Sequence, residues 1–116
     1  MNIETIEAQR ERVLGQMRAI RSAHPGGVSE QMVKGTRRDT PEAVERGPYY
    51  SLQWYERGKP RRQRLRSPED VRRAREETDN SRRIHELAER FCELTQQIGE
   101  LERDREAAGE RQKKGL

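Results

Sequence analysis

Residues 48–66 read PYYSLQWYERGKPRRQRLR, and this stretch determines which fold the chain can form. Aromatic and polar residues alternate up to Glu56, Gly58 interrupts the pattern, and a second alternating run follows. Alternation on both sides of a turn residue is typical of two antiparallel strands. With Arg57-Gly58 as a two-residue turn, the stretch predicts a two-stranded β-hairpin.

The turn also determines which residues of the hairpin share a face, because side chains alternate sides along a strand. One face is suited to packing and has three facing pairs: Trp54 with Arg61, Leu52 with Gln63, and Tyr50 with Leu65. The opposite face is a basic surface interspersed with tyrosines: Tyr49, Ser51, Gln53 and Tyr55 with Arg62, Arg64 and Arg66.

A long helix is predicted after the hairpin, over residues 67–110. Ser67 is a favourable N-cap, Pro68 suits the first helical position, and Glu69 and Asp70 suit the first turn. Apolar residues then repeat at alternating steps of three and four: Ile84, Leu87, Phe91, Leu94, Ile98 and Leu101. Residues 111–116 are expected to fray.

A first helix is predicted over residues 1–22, with Asn2 as its cap and the Pro25-Gly26-Gly27 run after its end. Its apolar residues follow the same three-four spacing once Arg10 is counted in the series: Ile3, Ile6, Val13, Met17 and Ile20. This is a heptad seam with one charged position, for which Glu93 and Glu102 are candidate partners.

The two seams span equal numbers of residues, which favours helices that lie side by side. They can pair as a helical hairpin within one chain or as a coiled-coil homodimer, and the pattern leaves both open. Val71, Ala74 and Thr78 fall outside the heptad phase of the second seam. We therefore expect the first turns of the long helix to pack elsewhere, under the hairpin.

Residues 23–47 show no sustained periodicity and contain Pro25, Pro41 and a charged run, so they are predicted to be a linker. The expected fold class is α+β, mainly α, in a single small domain over residues 1–116. Its elements in order are the N-terminal helix, the linker, the two-stranded hairpin and the long helix.

Composition argues against an enzyme with an enclosed pocket. Of 116 residues, 40% are charged and 29% hydrophobic, which is too little apolar material to fill a compact core of this size. His24, His85 and Cys92 have no spacing typical of a metal site or a catalytic triad, and Cys92 beside Phe91 is expected to be buried. No phosphate loop or nucleophile elbow occurs, so no catalytic residues, no metal site and no cofactor are predicted.

The cellular compartment is predicted from three further features of the sequence. Cys92 is the only cysteine, which excludes an intrachain disulfide. No apolar run has the length of a membrane span, and Glu4 stands where a signal peptide has basic residues. The expectation is a cytoplasmic protein without a membrane partner.

The positive charge of the chain is concentrated in the hairpin. The whole chain has a net charge of +4, whereas residues 46–68 carry seven basic residues and one acidic residue. Basic side chains bind phosphates and tyrosines stack on bases, so the hairpin predicts nucleic-acid binding. The candidate residues are Arg57, Lys59, Arg61, Arg62, Arg64, Arg66, Tyr49 and Tyr55. The alternative is that these charges only protect exposed strands from edge-to-edge aggregation.

A longer segment, over residues 34–101, resembles a family of short uncharacterised prokaryotic proteins often encoded near transposases and other mobile-element genes. The resemblance lies in Gly47-Pro48-Tyr49-Tyr50, the hairpin, the Ser67-Pro68-Glu69 cap and the charged helix that follows. Family members typically have a Cys-Gly-Lys motif and a histidine before Gly-Pro-Tyr-Tyr. Here Lys34-Gly35-Thr36 and Arg46 stand at those places, so the metal knuckle that the family implies is absent. The hairpin also resembles the basic strands by which some tyrosine recombinases bind arm-site DNA.

The sequence therefore predicts a non-enzymatic nucleic-acid-binding accessory protein of a mobile element or phage. Its hairpin would bind DNA or RNA, and its paired helices would hold or dimerise the hairpin. The alternative is a small protein-interaction module, such as a phage-encoded inhibitor or adaptor that docks on a larger bacterial defence nuclease complex. Phosphates and acidic protein surfaces attract the same arginines, so charge alone leaves both hypotheses open.

Overall fold

The computed structural model describes residues 2–36 and 43–114, and within them the side chains of residues 2–35 and 46–112. Its elements in chain order are α1 (Ile3–Ala19), β1 (Gly27–Thr36), β2 (Ala43–Glu56), β3 (Lys59–Leu65) and α2 (Pro68–Lys114). The predicted α+β, mainly α class is confirmed. The chain divides into two compact units, one of residues 1–21 and 83–116 and the other of residues 22–82.

The first unit is an antiparallel pair made by α1 and the later part of α2. The side chain of Asn2 caps α1 by accepting a hydrogen bond from the Thr5 N–H at 2.8 Å. Ile3 lies beside Leu101 and Arg10 beside Phe91, so the two helices run in opposite directions. The predicted seams thus meet within one chain.

A buried apolar cluster joins the two seams. Its buried members are Ile3, Ile6, Val13, Leu87, Leu94 and Ile98, and Met17, Ile20, Phe91 and Leu101 pack against it. Leu94 is fully buried, whereas Ile84, which was predicted to belong to the seam, is half-buried and lies outside the cluster. The three-four spacing therefore identified the helix-pairing residues, except for Ile84 at the beginning of the second seam.

Three expectations for this unit were wrong in detail. Arg10 places its guanidinium 5.6 Å from the centroid of the Phe91 ring, instead of pairing with a carboxylate. Cys92 is exposed, because Phe91 and Leu94 occupy the seam on either side of it. The expected frayed tail is helical as far as Lys114, and residues 115–116 lie outside the described residues.

The second unit contains a three-stranded antiparallel sheet in the order β1-β2-β3. Strands β2 and β3 pair in the predicted register, with Tyr50 opposite Leu65 and Trp54 opposite Arg61. They are joined at Arg57 and Gly58, whose φ angles of 52° and 78° are both positive. Two consecutive positive φ angles are typical of the type I′ turn that suits a two-residue hairpin.

Strand β1 and the first five residues of β2 replace most of the predicted linker, and β1 turns the hairpin into a three-stranded sheet. Val28 pairs with Leu52 and Gln31 pairs with Tyr49, so the backbone hydrogen bonds of β1 depend on a strand far along the chain. The register shifts between Gln31 and Val33, where β2 has an extra residue at its Gly47-Pro48 segment. The sequence of β1 itself, GVSEQMVKGT, shows no sustained period-two pattern, so it does not by itself predict a strand.

One face of the sheet packs on the first turns of α2, as their heptad phase predicted. Leu52 is buried, and so are Val71, Ala74 and Thr78 of α2. The guanidinium of Arg75 lies 5.5 Å from the centroid of the Tyr50 ring. Sheet and helix therefore share a small core within this unit.

The segment before β1 is tied to α2 and to the sheet. The His24 N–H donates to the Glu77 carbonyl at 3.0 Å, and the Asn80 side-chain amide donates to the Ser22 carbonyl at 3.0 Å. The His24 ring meets Trp54 edge-on, with 4.7 Å between centroids. These contacts hold the beginning of β1 next to the end of β2.

Ser67 is the cap of α2, and its removal has a measurable expected cost. Its hydroxyl accepts a hydrogen bond from the Asp70 N–H at 3.0 Å. Ser67→Ala is expected to lower the free energy of unfolding by about 1 kcal/mol, because one helix N–H loses its acceptor. Urea denaturation measures the change. Ser67→Asp keeps an acceptor and serves as the control, and equal losses in both variants would contradict a capping role.

Among the described residues, no helix is both long and apolar enough to cross a membrane.

Candidate nucleic-acid interface

The sheet face that points away from α2 collects the side chains of alternate residues on all three strands. We call it the outer face and define it by the cross-strand register. Its members with described side chains, glycine and proline aside, are Ser29, Gln31, Val33, Arg46, Tyr49, Ser51, Gln53, Tyr55, Arg62 and Arg64. None of these residues is acidic, so the outer face carries three arginines and no negative charge.

Two of the outer-face arginines are oriented by neutral partners. Arg62 donates from Nε to the Ser51 hydroxyl at 3.2 Å and from Nη2 to the Gln31 side-chain oxygen at 2.8 Å. The guanidinium of Arg64 lies 4.5 Å from the centroid of the Tyr49 ring. Both arginines are exposed and Ser51 beneath them is buried. Their orientation is thus set without neutralising their charge.

The arginines of α2 are in the opposite situation, since many of them pair with carboxylates one turn away. The distances are 3.4 Å for Arg73–Glu77, 2.9 Å for Arg82–Asp79 and 3.2 Å for Arg90–Glu93. Such pairs at positions i, i+3 and i, i+4 are typical of a solvated helix. The charge density of α2 is therefore largely compensated within the helix.

Arg72 shows the same compensation in its ionisation. It donates to the Glu69 carboxylate, and this hydrogen bond with its charge attraction lowers the pKa of Glu69 and raises the pKa of Arg72. Both groups are fully exposed, so solvent screens the pair. Within the part of the chain that the structure describes, the hairpin has one ion pair, Arg61–Glu56 at 3.4 Å.

The eight residues predicted to bind nucleic acid do not form one patch. Four lie on the outer face: Tyr49, Tyr55, Arg62 and Arg64. Lys59 and Arg61 lie on the opposite face of the sheet, where their cross-strand neighbours on β2 are Glu56 and Trp54 respectively. The remaining two flank β3, with Arg57 in the turn and Arg66 just beyond the strand.

Arg46 and the β1 side chains of the outer face were missed by sequence reasoning. Val33 pairs with Arg46, which brings this third arginine to the same face as Arg62 and Arg64. The alternation of β2 counted back from Tyr49 puts residue 46 on the wrong side, because the bulge adds one residue. Gln31, which orients Arg62, lies in the segment that was predicted to be a linker. The net positive charge of residues 46–68 was the one signal of nucleic-acid binding that included Arg46.

Two apolar or aromatic side chains stand exposed among these charges. Tyr55 is 76% exposed at the hairpin end of the outer face, and Val33 is 47% exposed on β1. A base can stack on the Tyr55 ring, and a base or sugar can pack on Val33, while neighbouring arginines contact phosphates.

Across residues 2–36 and 43–114, no group of three or more His, Cys, Asp and Glu residues is placed to hold a metal ion. In comparisons with known proteins, no family model, curated protein or solved structure matches this chain. The resemblance to mobile-element-associated proteins therefore stays a prediction.

Proposed function

We propose that this protein is a non-enzymatic nucleic-acid-binding protein that uses the outer face of its sheet. In keeping with the sequence resemblance, its role is that of an accessory protein of a mobile element or phage. The observation that carries the proposal is the acid-free outer face, on which Arg62 and Arg64 are oriented by Ser51, Gln31 and Tyr49. A face that only prevented aggregation would need charge, but it would not need oriented guanidinium groups.

Orientation matters because a guanidinium binds phosphate best through two parallel N–H groups. Holding Arg62 at Ser51 and Gln31 restricts its rotamers before any ligand arrives, which reduces the entropy lost on binding. Neutral partners leave the full positive charge available to a phosphate. The carboxylate-paired arginines of α2 would first have to give up their partners.

The proposal predicts a salt-dependent affinity that depends on two specific arginines. With three phosphates bound by Arg46, Arg62 and Arg64, the slope of log affinity against log salt on duplex DNA is expected to be about −3. Arg62→Ser with Arg64→Ser should bring the slope to about −1, because two fewer counterions are released. Fluorescence anisotropy of labelled DNA and RNA over a salt series measures both slopes.

A matched control separates the outer face from net charge. Arg82→Ser with Arg90→Ser removes the same charge from α2, where both arginines already have carboxylate partners. This control should keep a slope near that of the unaltered protein. Equal losses in the two double variants, with circular dichroism showing both folded, would mean that only net charge attracts the nucleic acid. No measurable binding by the unaltered protein would refute the proposal.

A second function, docking on a larger protein, is favoured by one specific observation. Met32 and Val33 of the edge strand β1 are 50% and 47% exposed, and they are adjacent in the chain. Val33 lies on the outer face and Met32 on the opposite face, so this edge strand exposes an apolar side chain on both of its sides, which suits a protein contact along the edge. The test is whether the protein still binds a defence-nuclease complex after all nucleic acid has been digested. Binding that survives digestion, and that is lost in the double variant Met32→Ser with Val33→Ser, would support this function over the first.

A further inference from the structure

A groove opens at the end of the sheet where β3 leads into α2. It has a volume of about 770 Å³, within the range of roughly 300 to 1,000 Å³ that is usual for small-ligand sites. Its apolar part is formed by Pro48, Leu65 and Val71, and the rings of Tyr49 and Tyr50 also line it. All of its lining residues belong to the second unit.

Three arginines of the groove are available to an anion. The guanidinium of Arg64 lies over Tyr49 and that of Arg75 over Tyr50, at 4.5 and 5.5 Å from the ring centroids. Arg66 is exposed between them in the chain. Among the described residues, none of the three has a carboxylate within ion-pair distance, and no acidic residue lines the groove.

The beginning of α2 is not the source of this positive potential. The Ser67 hydroxyl already accepts the Asp70 N–H, and Glu69 and Asp70 bring negative charge to the first turn. Arg72 also lines the groove, but Glu69 and Glu76 compensate its charge. An anion in the groove would therefore be bound by side chains, by Arg64, Arg66 and Arg75.

The combination of groups selects the chemical class of the ligand. An inorganic phosphate would use the arginines and leave the tyrosine rings and the apolar wall without a role. A nucleotide uses all three, because its phosphate binds guanidinium groups while its base packs on aromatic rings and apolar side chains. A base inside a duplex is stacked between its neighbours and cannot enter, whereas an unpaired base can.

We propose that this groove binds one unstacked nucleotide of a single-stranded nucleic acid. The base lies against Tyr50 and the wall formed by Leu65 and Val71, and the adjoining phosphate lies at Arg66 and Arg75. This inference rests on the proposed function and specifies its substrate as a strand with at least one unpaired base. A duplex would contact the outer face alone.

The groove is continuous with the outer face, which supports a shared ligand. Tyr49 and Arg64 belong to both, since they lie on the outer face and also line the groove. A strand whose phosphates bind Arg62 and Arg64 would bring its next nucleotide to the mouth of the groove. Outer-face contacts would thus supply affinity for any nucleic acid, and the groove would supply preference for single strands.

The test compares a short oligothymidine, a duplex of the same length and an abasic strand with the same phosphates, by fluorescence anisotropy. The protein is expected to bind the oligothymidine about tenfold more tightly than the abasic strand, which is the order of one stacked base. Arg66→Ser with Arg75→Ser changes two exposed residues and should fold normally. It should weaken oligothymidine binding at least tenfold and duplex binding less than threefold.

Three results would overturn the inference. Equal weakening of duplex and single strand by the groove variant would show that Arg66 and Arg75 add only charge. Unchanged oligothymidine binding in the groove variant would show that Arg66 and Arg75 bind no phosphate. Equal binding of abasic and ordinary strands would show that no base enters the groove. Each of these leaves the outer-face proposal standing, whereas absence of binding to every probe would refute both. Arg82→Ser with Arg90→Ser again controls for net charge.

Discussion

Gly26→Ala is expected to destabilise the second unit by on the order of 3 kcal/mol, because both the backbone and the space at this position require glycine. Gly26 has a φ of +100°, a region that residues with a side chain rarely adopt. A Cβ here would overlap the Gln53 carbonyl oxygen and lie 2.8 Å from the Trp54 Cβ. Both obstacles belong to β2, so either the beginning of β1 or the end of β2 must move.

The chain offers a direct measurement and a matched control for this effect. Trp54 is the only tryptophan and lies at the site of the overlap, so its fluorescence during urea denaturation reports unfolding of this unit. At Gly27, the next residue, an added Cβ would meet nothing within 4 Å. Gly27→Ala should therefore change the free energy of unfolding by less than about 1 kcal/mol. Similar effects of the two substitutions would contradict the close approach of β1 to β2 at Gly26.

Leu94→Ala is expected to destabilise the first unit by about 3 to 4 kcal/mol. Leu94 is fully buried at the centre of the cluster that joins α1 to α2, so the substitution leaves a cavity that the surrounding side chains only partly fill. Because the first unit has few buried residues outside this cluster, we expect α1 to unfold at a lower urea concentration in the variant. Far-UV circular dichroism during urea denaturation measures the lost helix.

Leu101→Ala removes the same atoms from the same helix and is the appropriate comparison. Leu101 packs against the cluster but is only half-buried, so its truncation should cost less than half as much as that of Leu94. An equal or larger loss at Leu101 would show that the centre of the helix pair lies elsewhere. Neither variant should change nucleic-acid binding at temperatures where the second unit stays folded.

The hairpin and the helix pair could be predicted because their information is local. The Arg57-Gly58 turn defines which residues of β2 and β3 oppose each other, and the observed partners of Trp54 and Tyr50 are those expected. Ser67 and Asn2 act as caps at the predicted places. Periodicity likewise placed Leu94 at the helix pair and Ala74 under the sheet, because a helix has one period wherever it packs.

The candidate interface could be predicted only in part. Tyr49, Arg62 and Arg64 were assigned to one face from alternation alone, and the register confirms that placement. Lys59 and Arg61 were counted with them because their charge is evident in the sequence, although alternation puts them on the other face. Charge density indicates that a segment is basic, but only side-chain direction tells which charges act together.

Local sequence patterns were sufficient to predict the two helices, the hairpin and its register, the seams that join the helices, and the position of the net positive charge. These follow from turn residues, caps and periodicities that act over a few residues. Three features emerge only in the folded chain: Gly27–Thr36 is a strand, the bulge at Gly47-Pro48 turns Arg46 to the outer face, and Gln31 orients Arg62. Each of these depends on cross-strand hydrogen bonds between segments distant in the chain, and no local pattern encodes which distant backbone a strand will pair with.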